Sequence, residues 1–485
     1  MNHSNIGHRN RGVIQIAVFI ATFMTSVEVT IVTTALPSII SELHGLAYQS
    51  WIMSAYLLTT AITTPIYGKL ADTLGRRKVF QWGVTVFTIG SLLSGLSPSI
   101  LFLIVARAIQ GIGAGAVMPL TFTIIADIFS FEQRANVLAL NNTAWGLSAL
   151  VGPLIGGFLV DHLSWHWVFF VNVPLGIIVA LLIWLGYQEN IELKNQLIID
   201  WLGIIWLAIS LVSLLLGIQA LDTLPLIEAS LLIVTIVATW LFLRHEKHFA
   251  DPLISPKMFH SKTFTIQIIT ATILSGVLIG YQMYFPIWLQ SLYRVSATTA
   301  GLVVTSSSIM WLVASFFVGK LIAHFVPKQI AVTLIGVMLL SYLSLIFASQ
   351  AFPVWAFYVI AMINGIGMGI VVSMNTILSQ HLVPNEMVGS ATSVLTLGRS
   401  LGQTVMAGVY GAILNLVIRL QLHGGITFSK VNNVISSKGA AVVANRSLID
   451  PIILTALHMV FVGVVAMLVV VLVINILDPN KKIIR

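Results

Sequence analysis

Glu28 and Arg107 stand deep inside long apolar runs, where no water is at hand to solvate a charge. Glu28 lies eight residues before Leu36, about 12 Å from the nearer end of its run at 1.5 Å per residue. An ionised carboxylate held there costs several kcal/mol, so this group is suited to taking up a proton at neutral pH. Of the sixteen Asp and Glu residues it is the one placed so deep. Asp127 sits at the inner end of the fourth run, and the remaining acids fall in loops or at borders. Arg107 lies six residues into the fourth run, about 9 Å deep. Its guanidinium stays charged and must meet a partner or water. Movement of Arg107 toward or away from Glu28 would unload and load a proton. A static ion pair or a clamp on backbone carbonyls is the other reading.

Three further sets of residues bear on function. Gly68-Lys-Leu-Ala-Asp72-Thr-Leu-Gly75-Arg76-Arg77-Lys78 reads as a short turn between two runs. Asp72 can pair there with Arg76 or Arg77, Gly75 permits a tight turn, and the charges can lock one conformation and release it on switching. Gly146, Gly152, Pro153, Gly156 and Gly157 share the fifth run, where glycines three or four apart let helices approach closely and the proline bends the helix. Gln110, Met118 and Trp145, with Glu28, are the residues expected to line a substrate pocket. The pairs His162/His166 and His245/His248 lack the cysteines or clustered carboxylates of a metal site, and the chain has no cysteine. No nucleophile elbow, zinc-protease helix or phosphate-binding loop is present, so no enzyme activity and no cofactor is expected, and an ion gradient is the simplest energy source.

The elements that must position these residues follow from composition. The chain has 485 residues, 58% hydrophobic and 8% charged. A soluble domain carries about 25% charged residues. The chain therefore uses lipid as its solvent. Fourteen apolar stretches are long enough to cross a bilayer as helices, at 13–36, 48–70, 78–96, 101–126, 134–160, 167–187, 201–220, 225–243, 264–290, 298–322, 329–349, 353–378, 388–418 and 451–476. Their continuous apolarity excludes a barrel. With both termini cytoplasmic, seventeen Lys and Arg residues fall inside and five outside, while Arg107 and Arg399 stay within runs. This asymmetry explains the net charge of +8 without a nucleic-acid partner. The first run reads as a retained span, not a signal peptide. Segment 419–450 is a long, polar outer loop to which no structure is assigned.

The sequence also repeats. Gly68-Lys-Leu has a counterpart 251 residues on at Gly319-Lys-Leu. Gln110-Gly111-Ile-Gly113 has one 254 residues on at Asn364-Gly365-Ile-Gly367. A duplicated six-helix unit is implied, as 1–190 and 261–485, with 191–260 carrying two extra spans and a linker. Such repeats are typical of secondary transporters, with the site between them.

The motifs together resemble the major facilitator superfamily in its fourteen-span drug:proton antiporter branch (EmrB/QacA type). Gly68–Lys78 is similar to that superfamily's loop between spans two and three, and Arg107-Ala-Ile-Gln-Gly-Ile-Gly113 to its span-four motif. Gly152-Pro-Leu-Ile-Gly-Gly157 is similar to its antiporter motif, Glu28–Pro37 to the branch's span-one motif, and Trp165–Pro174 to its span-six entry. The span-one acid is usually Asp where this chain has Glu28, a frequent Arg is His166, and the second loop has Ala323 in place of its acid. The resemblance implies an all-α integral membrane protein: two six-helix bundles with two further spans between them. It further implies that Glu28 carries protons, Arg107 assists, Gly68, Asp72, Gly75, Arg76 and Arg77 gate, and the Gly152–Gly157 run supports antiport. The expected protein is a monomeric multidrug exporter of a bacterial plasma membrane, taking in protons and expelling lipophilic compounds, cationic ones foremost. An exporter of one endogenous molecule, such as a lipid, peptide or siderophore, shares these motifs. A non-transporting membrane sensor is the third reading.

Overall fold

In lipid every backbone N–H and C=O must be satisfied within the chain, which leaves helices as the natural element of a continuously apolar sequence. The computed structural model describes residues 8–129, 131–187, 200–220, 225–249, 256–383, 388–422, 426–436 and 446–480. These residues form α1 (His8–Leu43), α2 (Gln49–Leu74), α3 (Arg76–Gly95), α4 (Ile100–Ile128), α5 (Phe131–His162), α6 (Trp167–Phe170), α7 (Asn172–Gly186), α8 (Trp201–Ala220) and α9 (Pro225–Glu246). They continue as α10 (Lys262–Leu292), α11 (Ala297–Ser315), α12 (Val318–His324), α13 (Pro327–Ile346), α14 (Val354–His381), α15 (Val388–Leu420), α16 (Phe428–Ser436) and α17 (Arg446–Ile476). Local signals start several of them. The hydroxyls of Ser99, Ser261 and Ser296 accept from Phe102, Phe264 and Thr299 N–H at the heads of α4, α10 and α11. Gly75, at φ 93°, makes the corner between α2 and α3.

Among the described residues, twelve helical stretches are long and apolar enough to cross a membrane: those of α1, α4, α5, α6 with α7, α8, α9, α10, α11, α13, α14, α15 and α17. The expected count of fourteen is corrected at 48–70 and 78–96. Both form helices, α2 and α3, of 26 and 20 residues, but neither is among the twelve. The reason is their polar content. α2 carries Thr59, Thr60, Thr63 and Thr64, and α3 opens on Arg76-Arg77-Lys78. Thr60, Thr63 and Thr64 each bond the carbonyl four residues back, at 2.7 Å, which hides their hydroxyls within the helix.

Helices α1 to α7 pack mainly among themselves, through α2 on α4, α3 on α4, α1 on α5 and α1 on α7. Helices α10 to α17 form a second group, through α11 on α14, α10 on α15 and α13 on α17. α8 and α9 pack on each other, and α8 also meets α15 and α2. The Asp200 carboxylate accepts from Gly203 N–H at the head of α8 and lies 2.6 Å from His245 of α9.

One face of the molecule gathers the helix ends nearest the termini. The head of α3 meets the tails of α4 and α7 there, while Thr263 and Lys328 reach Asp478 beyond α17. Bonds between the two groups lie from the middle of the molecule toward the opposite, far face. Gln290 donates to Thr34 O (3.3 Å), Asn415 to Ala47 O (3.0 Å), Thr305 to Leu150 O (3.1 Å) and Ser54 to Thr404 O (3.4 Å). Asp161, at the end of α5, accepts from Ala297 N–H (3.2 Å), Thr298 N–H (2.9 Å) and the Thr298 hydroxyl at the head of α11. Segment 419–450, left without structure by the sequence, contains α16. Its buried Val431, Val434 and Ile435, at helical spacing, face inward, and the helix packs on α1 and α10. Residues 423–425 and 437–445 of that segment lie outside the described residues.

Candidate functional site

The buried centre of the first group is built around Glu28 of α1 and Arg107 of α4, both with zero exposure. A buried charge is tolerable when paired and hydrogen-bonded, and this one is. Arg107 Nη1 donates to Glu28 Oε1 and, at 2.6 Å, to Gln110 Oε1. Arg107 Nε donates to Ile52 O of α2 at 3.1 Å. The guanidinium carbon stands 4.3 Å from the ring centre of Tyr56. The second carboxylate oxygen, Glu28 Oε2, accepts from Asn172 Nδ2 of α7. Gln110 Nε2 donates in turn to Ser91 Oγ of α3 at 3.1 Å, and Ser91 to Phe169 O of α6 at 2.9 Å. Helices α1, α2, α3, α4, α6 and α7 thus converge on one charge pair. Arg107 Nη2 and Asn172 Oδ1 are buried without a partner, which leaves a donor and an acceptor beside the pair.

Glu28, Arg107 and Gln110 are legible in the sequence. Asn172, Tyr56 and Ser91 join the site only through the fold. Asn172 is visible as a polar residue in an apolar run, but neutral polar residues are common enough in such runs to carry little signal alone. The repeat extends into this network. Asn364, the counterpart of Gln110, accepts from Tyr342, which stands 251 residues after Ser91. Arg107's counterpart is Ala361, so the charge pair belongs to the first group.

Among the described residues, Arg76 forms an ion pair with Asp127 of α4, whose other oxygen accepts from the Tyr187 hydroxyl at 3.0 Å. Arg77 donates to Trp184 O of α7. Asp72 lies within α2, but its side chain is outside the described residues. Gly68 is open, with nothing within 4 Å of the place a Cβ would take.

The glycines of α5 face two ways. A Cβ on Gly152 would collide with Thr30 Oγ1, and one on Gly156 would come 2.7 Å from Ile31 O, both on α1 just beyond Glu28. A Cβ on Gly157 would meet Thr298 Cα of α11 at 2.5 Å. Pro153 carries this contact across, its carbonyl lying against Gly301 of α11. Gly146 is looser, its nearest neighbour being Leu312 at 3.4 Å. This helix therefore touches the acid's own helix and the opposite group at once. Among the expected pocket residues, Gln110 is wholly inside the charge network. Met118 is partly buried on α4, and Trp145 is 44% exposed on α5. Among the described residues, no hydrogen bond, ion pair or ring contact joins either to the Glu28 pair.

The family model described as Major Facilitator Superfamily matches residues 18–407. Multidrug resistance protein 3 of Bacillus subtilis (strain 168) is 33% identical over 416 residues, covering 84% of this chain and 80% of the relative. The multidrug efflux pump SdrM of Staphylococcus aureus (strain N315) is 28% identical, covering 87% of this chain and 92% of the pump. Among solved structures, a bacterial homologue of the human lysosomal transporter Spinster superposes with a TM-score of 0.69 at 16% identity, covering 97% of each chain. The nucleoside transporter NupG does so with a TM-score of 0.64 at 12% identity, covering 96% of this chain and all of that one. Fold, span content and family match agree on a multi-pass membrane transporter, not an enzyme: the chain belongs to the Major Facilitator Superfamily.

Proposed function

We propose that this transporter exports lipophilic small molecules from a bacterial cell in exchange for protons, with Glu28 as the proton carrier and Arg107 as its partner. The observation that carries the reading is the wholly buried Glu28–Arg107 pair, with Asn172 on the second carboxylate oxygen. Protonation removes the carboxylate's charge and with it the attraction that holds Arg107. The released guanidinium still has Gln110 and Ile52 O as acceptors, so it shifts without losing all its bonds. Helices α1 and α4 are then free to part. Because α5 packs its glycines on both α1 and α11, a shift at α1 passes to the second group. Alternating access follows from rocking one group on the other.

Relatives named for multidrug resistance and efflux support a broad lipophilic cargo. A preference for cations belongs to the state in which Glu28 is ionised and parted from Arg107. Counting α2 and α3 with the twelve apolar spans gives the fourteen-span branch, with 1–190 and 261–485 as the repeated bundles and 191–260 as the insert. Asp72 with Arg76 and Arg77 gates the terminal face, which is cytoplasmic, and the protein acts as a monomer in the plasma membrane.

Inside-out vesicles with an imposed proton gradient test the reading. Lipophilic cations and neutral drugs should each dequench a trapped pH dye in the wild type, and Glu28→Gln should abolish the response at unchanged protein level. Uphill transport by Glu28→Gln at the wild-type rate sinks the proton-carrier assignment.

A further inference from the structure

Arg107 and Arg399 are the two basic residues inside spans, and only Arg107 has an acid among the described residues. Arg399 lies on α15, partly exposed. Its Nη2 donates to Val372 O (3.0 Å) and to the Thr376 hydroxyl (2.8 Å), both on α14. Its Nε is buried and has no partner, and no carboxylate pairs with it among the described residues. Two neutral oxygens orient the guanidinium and leave its charge uncompensated. A static clamp between α14 and α15 would need no charge. A cation kept in a span at that cost points to a function.

The contacts of α15 fix which way Arg399 faces. Gly398 and Gly402 lie against Thr272 of α10. Thr404 is bonded by Ser54 of α2, and Gly408 touches Leu215 of α8. At about 100° per residue, the sector left between the α10 and α2 contacts, on the side away from α8, holds Thr396, Arg399 and Gln403. Arg399 lies five residues toward the terminal face from Thr404, about 7.5 Å. The repeat gives this position a partner. The 254-residue offset that relates Gly111 to Gly365 also relates Trp145 to Arg399 and Met118 to Val372. Trp145, exposed on α5, is thus the first group's counterpart of Arg399. The repeat thus sets an aromatic ring on α5 and a guanidinium on α15 at corresponding sequence positions.

We propose that Arg399 is an anion-recognition site on the transport path, taking aromatic amphiphiles by a carboxylate. This rests on the exporter reading and adds a substrate class to it. Beyond the two bonds made by Nη2, the guanidinium keeps its Nε–H and its Nη1 donors for a carboxylate, a charged and directional set that lysine does not reproduce. The ring of such a substrate is then available to the first group's aromatic surface.

The probes are dansylglycine and its uncharged methyl ester, titrated by fluorescence onto the purified full chain in lipid nanodiscs without a proton gradient. The wild type should bind the acid about tenfold or more tighter than the ester, the usual yield of a charge-assisted bond. Arg399→Gln should erase that preference while leaving ester affinity unchanged, and Arg399→Lys should restore part of it. Equal wild-type affinity for acid and ester, or no binding of the acid, overturns the proposal. So does a parallel loss of acid and ester in Arg399→Gln, which would mark a structural clamp. Glu28→Gln separates the two readings. It should keep the acid preference while losing proton coupling, whereas intact coupling with a kept preference would overturn the proton carrier alone.

Discussion

Both oxygens of the Glu28 carboxylate are occupied, one by Arg107 and one by Asn172. Removing Arg107 leaves a buried charge without its partner, so Arg107→Met should destabilise the protein by about 3–5 kcal/mol. Glu28→Gln with Arg107→Met removes both charges and should recover most of that loss. Thermal unfolding in detergent reads the cycle, and equal destabilisation by the single and double variants would show that packing, not charge, is at stake. At this scale the sequence is most informative where a residue is rare. A carboxylate or guanidinium in an apolar run stands out, and the two prove to be in contact. The neutral residues that complete the site do not stand out, because Asn172, Ser91 and Tyr56 acquire their meaning from α7, α3 and α2 converging on α4, which no local spacing records. The same holds for Arg76. Asp127, with which it forms an ion pair, lies 51 residues away and is marked in the sequence by its place at the end of a run.

Helices are legible from apolar length, and one corner between them from Gly75. Two of fourteen fail the test of apolarity: α2 because hydropathy counts a threonine hydroxyl as exposed even when the helix backbone absorbs it, and α3 because it opens on Arg76-Arg77-Lys78. The glycine run of α5 is legible as a close-packing face, but not the fact that it has two faces. That duality sets a prediction. Gly152→Val forces a side chain into Thr30 beside Glu28 and should cost about 1–3 kcal/mol through overpacking, with drug-driven proton release lost in vesicles while membrane yield persists. Gly146→Ala, with its nearest neighbour at 3.4 Å, should transport at the wild-type rate. Equal behaviour of the two variants would detach the α5 packing from transport.

The repeat is visible as two short matches, and the molecule extends it to Ser91–Gln110 and Tyr342–Asn364. What the sequence does not contain is the state. Bonds between the groups from the middle to the far face make this a structure closed on that side, and Asp161 holds three donors at the head of α11. Asp161→Asn should loosen the closure. The absence of native cysteine makes this measurable without a background. With Thr34→Cys as the reporter, its parent methyl lying 3.5 Å from the place a Cβ on Gly301 would take across the interface, labelling by an impermeant maleimide should rise on the order of tenfold in Asp161→Asn, as expected for one lost charge-assisted bond. An unchanged rate would assign the closure to apolar packing.

The Glu28–Arg107 pair carries no net charge as it stands, so helices that move it through the membrane do no electrical work. Once a proton is bound, Arg107 leaves the site with one positive charge, and a full crossing of that charge is worth about 2.3 kcal/mol per 100 mV. Of the charge carried by this pair, voltage therefore acts on the protonated stroke and not on the unprotonated one, where the cargo's own charge is what the field acts on. The cargo's charge then sets the current of a cycle that takes in one proton. Expelling a monovalent cation moves no net charge, a neutral compound moves one, and a carboxylate held by Arg399 moves two, so acidic cargo draws most strongly on the membrane potential.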